Sequence, residues 1–250
     1  MSSIFSRMGS ALLRRLKIEP DRREPTKQDS FELLKSLNIP ISSVIDIGVH
    51  EATRELITAF PHIPHLLCEP VEEFYGAINE NYLGKVSSFL IVPHAIGKKN
   101  DTIKMETLSV IADQEITHAR ANIQGGDNVK GTREVQIKTL DSVMSELDFP
   151  RPHLLKIDID GPDIDVIFGA EETLEHCSVI CIEAGVKDLH QRLTVIRKYG
   201  FELFDLVDIC YYDDRLIQMD AVFIRSDLIK SLGLEFYKNG FDISKWRANL

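Results

Sequence analysis

Two short segments carry residues that could hold a ligand. Ser43-Val44-Ile45-Asp46-Ile47-Gly48-Val49-His50-Glu51 is followed, further along, by His65-Leu66-Leu67-Cys68-Glu69-Pro70. Each is an apolar run without alternation that stops at an acidic residue, as a buried parallel strand does. Glu69 falls roughly 20 residues after the glycine turn, where the second strand of a nucleotide-binding βαβ unit carries its ribose-binding carboxylate. A carboxylate there accepts hydrogen bonds from both ribose hydroxyls. Gly48 lets the backbone pass close to a ligand with no Cβ in the way. The plainer alternative is an ordinary βα turn with Glu69 in solvent.

The chemistry of the turn narrows the ligand. A dinucleotide site shows G-x-G-x-x-G, which brings a pyrophosphate onto a helix N-terminus. Here the turn has one glycine and two acidic groups, Asp46 and Glu51, and carboxylates would repel a pyrophosphate. They suit a ligand with an amino group, a sulfonium and an adenosine, which is S-adenosylmethionine. A nicotinamide-dependent reductase is disfavoured by the missing second and third glycines.

A second acidic constellation lies in Leu154-Leu155-Lys156-Ile157-Asp158-Ile159-Asp160-Gly161-Pro162-Asp163-Ile164-Asp165. An apolar strand ends by delivering Asp158 and Asp160 on one face, with Ile157 and Ile159 on the other. Gly161 allows a tight turn, Pro162 suits a first helical position, and Asp163 favours the positive helix N-terminus. Ligands of doubly wound sheets sit beyond the carboxyl ends of the strands, so Asp158 and Asp160 should face the same crevice as Asp46 and Glu69. Asp158 or Asp160 would orient or deprotonate an acceptor hydroxyl, or hold a Mg²⁺ that does so. A calcium loop is weaker, because the spacing departs from D-x-D-x-D-G. Asp163 and Asp165 read as helix-capping residues.

The elements that must position these groups alternate strand and helix. Ser30 reads as the N-cap of a helix over Phe31–Leu37, after a charged linker from Asp21 to Gln28. Strands are expected at Val44–Gly48, Leu66–Glu69, Phe89–His94, Val135–Leu140, His153–Asp158 and Val179–Glu183, with an extra strand at Thr102–Thr107. Helices are expected at Ala52–Phe60, Glu72–Tyr82, Asp163–Leu174 and Leu189–Tyr199. Ser109 to Arg133 breaks the rhythm, contains Gly125-Gly126, and reads as a lid or binding loop. Two late strands around Asp213-Asp214 make an antiparallel hairpin at a sheet edge. The expected fold is α/β: a mostly parallel, doubly wound, Rossmann-like sheet with an antiparallel C-terminal hairpin. The expected division is an N-terminal helical extension and linker over 1–40, a main domain over 41–227 with the lid or acceptor loop at 109–134, and a tail over 228–250.

Composition agrees with a soluble globular protein. The chain has 250 residues, 44% hydrophobic and 27% charged, which suits one α/β domain with additions. A net charge of −10 argues against nucleic acid as a partner. Cys68, Cys177, Cys181 and Cys210 form no C-x-x-C pair and read as reduced residues of a cytoplasmic protein rather than a metal site. No apolar run approaches the ~20 residues of a membrane span, and the apolar stretch within Met1 to Pro20 is too short for a secretory h-region, so no signal peptide is expected. Near the N-terminus, Ile4, Phe5, Met8, Leu12 and Leu16 fall at helical spacing among Arg7, Arg14, Arg15 and Lys17. Packing on the domain, or on a second subunit of a homodimer, is favoured over a membrane-surface helix, which carries larger apolar residues over a longer stretch.

Several of these segments, in order, resemble the FkbM family of S-adenosylmethionine-dependent methyltransferases, from about Val44 to Ile224. Asp46-Ile47-Gly48 resembles the family's D-x-G, and Cys68-Glu69-Pro70-Val71 its F-E-P strand end, with Cys68 replacing the aromatic. His94-Ala95-Ile96-Gly97 resembles N-x-A-x-G, Thr139-Leu140-Asp141 matches T-L-D, and Leu155 to Gly161 resembles K-I-D-V-E-G, followed by Gly169-Ala170. The resemblance implies a class I methyltransferase fold and methyl transfer, typically to a hydroxyl oxygen of a sugar, polyketide or related metabolite. It places Asp46 and Gly48 at the methionine end, Glu69 on the ribose, and the Ala95 region beside the adenine. His50 stands for the family's usual Asn, Ala52 for its second glycine, and Asp160 for its Glu.

Methyl transfer from a sulfonium needs the acceptor oxygen held in line, and a nearby base helps remove its proton. Asp158 is the first candidate base, followed by Asp160, His50 and His94. Pro70, His94 and Ala95 complete the expected cofactor contacts. No metal ligands are assigned. The rival of another class is a non-catalytic module that keeps the fold and binds a partner.

Overall fold

Apolar runs that end in acidic residues become the parallel strands of one central sheet. The structure is a computed structural model, and it describes residues 26–108, 118–121, 132–235, 240–241 and 243–244. The seven-stranded sheet contains β1 (Ser43–Ile47), β2 (Pro64–Cys68), β3 (Ser88–Val92), β8 (His153–Ile157), β9 (Cys177–Gly185), β10 (Phe201–Tyr212) and β11 (Arg215–Arg225). Its order is β10-β11-β9-β8-β1-β2-β3. Strands β3, β2, β1, β8 and β9 are mutually parallel, and β11 runs antiparallel to both β9 and β10. This is the expected doubly wound α/β sheet with an antiparallel C-terminal hairpin. The order of the sheet turns around at β1, which lies between β2 and β8, and a ligand crevice is expected there. Asp213 and Asp214 take positive φ of 48° and 59° to close the hairpin, a conformation that Asp tolerates better than most residues.

Helices cover both faces of the sheet. On one face, α1 (Lys27–Ser36) buries Phe31 and Leu34 against Val44, Leu154, Val179 and Val222. Emptying such a site by Phe31→Ala costs about 3–5 kcal/mol. Thr26, not Ser30, caps this helix: the Thr26 hydroxyl accepts from the Asp29 N–H at 3.1 Å, while Ser30 is buried inside the helix. The expected linker therefore already turns helical at Lys27. The expected helix from Asp163 to Leu174 is two pieces, Asp163–Phe168 and Glu171–Leu174. The break falls at Gly169, where a Cβ would lie 2.0 Å from the Gly97 carbonyl oxygen.

A second, four-stranded sheet has the order β4-β7-β5-β6, formed by Ala95–Ile96, Thr132–Lys138, Asp101–Leu108 and His118–Ala121. The extra strand expected at Thr102–Thr107 belongs here. The stretch expected as a lid contains β6 and the start of β7, and the rest of it lies outside the described residues, as does the amphipathic N-terminal stretch.

Candidate functional site

Strand register explains why the acidic residues converge. Asp46 pairs in register with Lys156, Lys156 with Cys181, and Cys181 with Val222. Side chains alternate along a strand, so the groups two residues further on return to the same face. Gly48, Asp158, Glu183 and Asp220 form that next row, and Asp220 pairs directly with Glu183. The ladder continues past the ends of the parallel strands: the Gly48 N–H donates to the Cys68 carbonyl at 3.1 Å and the Asp158 N–H to the Ile47 carbonyl at 3.0 Å.

These residues open onto a cavity of about 880 Å³. Gly48, His50, Glu69, Pro70, His94, Ala95, Asp158 and Asp160 all line it, so the structure brings eight of the nine expected site residues together. Asp46 does not reach it. Its side chain is wholly buried and ion-paired to Lys156 Nζ at 3.0 Å, with the Tyr82 hydroxyl donating to it from 3.4 Å. Asp46 therefore stands behind the wall, and Lys156 stands between it and the cavity.

Lys156 is the hub of that wall. Its ammonium donates to the Gly48 carbonyl at 2.9 Å and to Thr53 Oγ1 at 3.3 Å, and lies 3.5 Å from Asp158 Oδ2. Burial works against its charge, but Asp46 and Asp158 outweigh burial and raise its pKa. Gly48 is required for a reason other than ligand approach. At φ +82° its missing Cβ would sit 1.9 Å from the Asp158 carbonyl oxygen, so this glycine lets β1 and β8 leave the sheet side by side.

Glu69 is held by backbone. Its carboxylate accepts from the His50 N–H at 2.8 Å and the Val71 N–H at 2.9 Å. His50 reaches this position with φ of 54°, and its ring packs on Phe74 at 4.0 Å between centroids. Burial pushes the Glu69 carboxyl up to about 7, against the pull of those two N–H groups. Each oxygen accepts one backbone bond and retains lone-pair capacity for hydroxyl donors. Beyond Glu69, the cavity is walled by Phe74, His94, Ala95, Ile96 and by Ile103, Met105 and Ile137 of the second sheet. The buried Nδ1 of His94 has no hydrogen-bond partner in the fold, and burial lowers the pKa of the ring.

The opposite end is charged. Asp158, Asp160, Asp165, Glu183, Lys27 and Lys156 line it. Lys27, from the first turn of α1, lies 3.0 Å from Asp220, 3.4 Å from Asp208 and 3.9 Å from Asp158. Burial favours a neutral Asp158, yet Lys156, a hydrogen bond from Glu183 and Lys27 prevail and hold it below the ordinary carboxyl range. Glu183 is pushed the other way, by burial first and then by Asp158, Asp220 and Asp160. Asp163 serves the fold: Arg192 donates to it through Nε at 2.8 Å and is paired with it at 2.6 Å. Among the described residues, no group of three or more His, Cys, Asp or Glu is arranged to hold a metal ion.

Sequence reasoning missed Glu183, Lys156 and Lys27 as site residues. Glu183 carried a usable signal, since it ends an apolar strand in the manner of Glu69 and Asp158. Lys27 carried none, because its partners lie far along the chain.

The family described as "Methyltransferase FkbM domain" matches residues 46–203, more than half of the chain. No curated protein matches it. Solved structures resemble it at low identity. Magnesium protoporphyrin IX methyltransferase of Synechocystis, with bound S-adenosylmethionine, is 10% identical over 80% of this chain and 79% of that one, with a TM-score of 0.42. The 23S rRNA methyltransferase ErmE is 11% identical over 78% and 66% of the two chains, with a TM-score of 0.40. An S-adenosylmethionine-dependent methyltransferase of Clostridium acetobutylicum is 9% identical over 89% and 99%, also at 0.40.

Proposed function

Because the chain belongs to the FkbM methyltransferase family, we propose that it is an S-adenosylmethionine-dependent enzyme that moves a methyl group to a hydroxyl oxygen of a sugar or secondary-metabolite acceptor. One observation carries this reading. Glu69 and Asp158 end strands on either side of β1 and line one cavity, large enough for a nucleoside and a second small molecule. With neighbouring strands roughly 5 Å apart, Asp158 stands about 10 Å along the row from Glu69, and Glu183 about 15 Å.

The donor set suits the cofactor. Glu69 offers acceptor capacity only, which fits the two donor hydroxyls of a ribose. Its hydrogen bonds from His50 and Val71 fix its position before any ligand arrives. Phe74, Ala95, Ile96 and Ile137 offer apolar surface to a flat base, and His94 Nδ1 is available for one polar contact at its edge. When bound, S-adenosylmethionine supplies a methyl group on a positively charged sulfur. Asp158 and Asp160 provide negative potential at the end of the cavity where that charge would lie, and they orient an acceptor hydroxyl. Asp46 acts through Lys156, by fixing the turn at Gly48. Three of the four free cysteines are buried, which agrees with a cytoplasmic setting. Among the described residues, no helix is long and apolar enough to cross a membrane.

Calorimetry with S-adenosylhomocysteine and with NADPH, followed by transfer of labelled methyl from S-adenosylmethionine to hydroxylated sugars and polyketides, tests the reading. Binding of S-adenosylhomocysteine alone is expected. Binding of neither compound would favour a non-catalytic partner module.

A further inference from the structure

Asp158 and Glu183 are neighbours at the ends of adjacent parallel strands, where Ile157 and Ile182 are the last register pair before them. Both line the cavity, and their carboxyl groups lie close enough to share a hydrogen bond when one of them is protonated. Their surroundings differ. Both nearby ammonium groups, Lys156 at 3.5 Å and Lys27 at 3.9 Å, approach Asp158. Glu183 instead faces carboxylates: Asp158 beside it, Asp220 across from it on β11, and Asp160 beyond the turn. A carboxylate compensated by two cations is a weak base and a good hydrogen-bond acceptor. A half-buried carboxyl among carboxylates keeps a proton more readily.

We propose that Glu183, not Asp158, takes the proton of the acceptor hydroxyl, and that the charge of the methyl donor itself readies Glu183 to do so. The proposal rests on the methyltransferase reading above. In the ligand-free protein the two carboxyls share one proton, held on Glu183 and donated to Asp158. Burial and the neighbouring Asp158, Asp220 and Asp160 raise Glu183 above the ordinary carboxyl range, while Lys156 and Lys27 help hold Asp158 below it. A sulfonium entering this end of the cavity adds a positive charge, favours the ionised pair and expels the shared proton to solvent. In the transfer step, the bond between the acceptor oxygen and the methyl carbon forms as the carbon–sulfur bond breaks. The electron pair of that bond stays on sulfur, which becomes a neutral thioether, and the hydroxyl proton passes to Glu183. With the positive charge gone, Glu183 keeps its proton until the next donor binds.

The test follows the glutamate carboxyl carbons of the full chain, ¹³C-labelled, against pH in the free protein and with S-adenosylhomocysteine or S-adenosylmethionine. The Glu183 signal is assigned by its loss in Glu183→Gln. Glu183→Asp removes the same signal should the first variant fail to fold. The free protein should show Glu183 titrating well above the exposed glutamates. S-adenosylmethionine should lower that midpoint by about one pH unit or more, as a unit charge nearby does, and neutral S-adenosylhomocysteine should not. Equal midpoints with the two ligands, or an ordinary midpoint in the free protein, overturn the proposal. If calorimetry shows that neither ligand binds, the cofactor reading itself fails and the proposal falls with it.

Discussion

Lys156 holds Asp46 at 3.0 Å with both side chains out of water, 3% and 0% exposed. The acidic residue of the first motif thus lies behind the cavity wall, paired inside the fold. Removing one member of a buried pair leaves the other charge uncompensated, at a cost of about 3–5 kcal/mol. Asp46→Ala is expected to lose that much in denaturant unfolding. The milder Asp46→Asn should weaken S-adenosylmethionine and S-adenosylhomocysteine by the same factor. A loss confined to the sulfonium compound would put Asp46 in direct contact with it.

Glu69 gives a proton-linked binding signal. Its carboxyl is raised to about 7 by burial, and hydroxyl donors favour its ionised form. Binding of neutral S-adenosylhomocysteine, which leaves the Asp158–Glu183 proton in place, should therefore release protons just below that pH, seen as a calorimetric heat that changes with the ionisation enthalpy of the buffer. Glu69→Gln should abolish the release and weaken binding by about 2 kcal/mol or more. Binding heats independent of buffer would mean that Glu69 does not ionise toward the ligand.

The same groups set the pH dependence of the free protein. Glu69 and Glu183 keep protons in the fold at pH values where the unfolded chain has released them. Their contribution to stability is present below the ordinary glutamate value of 4.5 and is lost as pH rises through the folded values, about 7 for Glu69. Asp158 has the opposite sign, and its contribution is complete above the ordinary aspartate range. Urea unfolding should show the free protein less stable in mildly alkaline than in mildly acidic buffer, with a shallower slope in Glu183→Gln. A stability that climbs across that interval would contradict these environments.

Lys27→Met tests the tie between α1 and the sheet. Lys27 is the ammonium nearest Asp220, which is 5% exposed. Its loss should destabilise the protein by about 3 kcal/mol. The deficit should shrink in acid, where Asp220 takes up a proton. A deficit independent of pH would mean that packing, not charge, is what the variant removes.

Gly48→Ala should fail outright. The added Cβ would need the space of the Asp158 carbonyl oxygen, 1.9 Å away, at a φ of +82°. Poor soluble yield, or a midpoint lowered by several degrees, is expected; a wild-type melting curve would show that the turn can relax.

The parallel core was legible because its apolar runs end in acidic residues with Gly48 or Gly161 close by. Glu69 and Asp158 were found at strand ends from that pattern, whereas the C-terminal hairpin followed from two late strands without helical periodicity joined at Asp213-Asp214. Asp46 was misplaced because sequence shows an acidic residue near a turn but not that Lys156, on another strand, already holds it. Lys27 was hidden in a charged stretch read as linker, and Ser30 was mistaken for a cap because Thr26 lay within that same stretch. Glu183 was read only as a strand end, since its chemistry comes from the register of β8, β9 and β11.

Lys27 also bears on protein engineering. The family match starts at residue 46 and ends at 203, whereas the cation at 27 and its partners at 208 and 220 lie outside it. A chimera that grafted only the matched stretch into another scaffold would transplant Asp158 and Glu183 but leave behind one of the two ammonium neighbours of Asp158 and the carboxylate facing Glu183. Such a hybrid would inherit the matched sequence with a different acidity, and its pH optimum, more than its affinity for the cofactor, would reveal what the graft omitted.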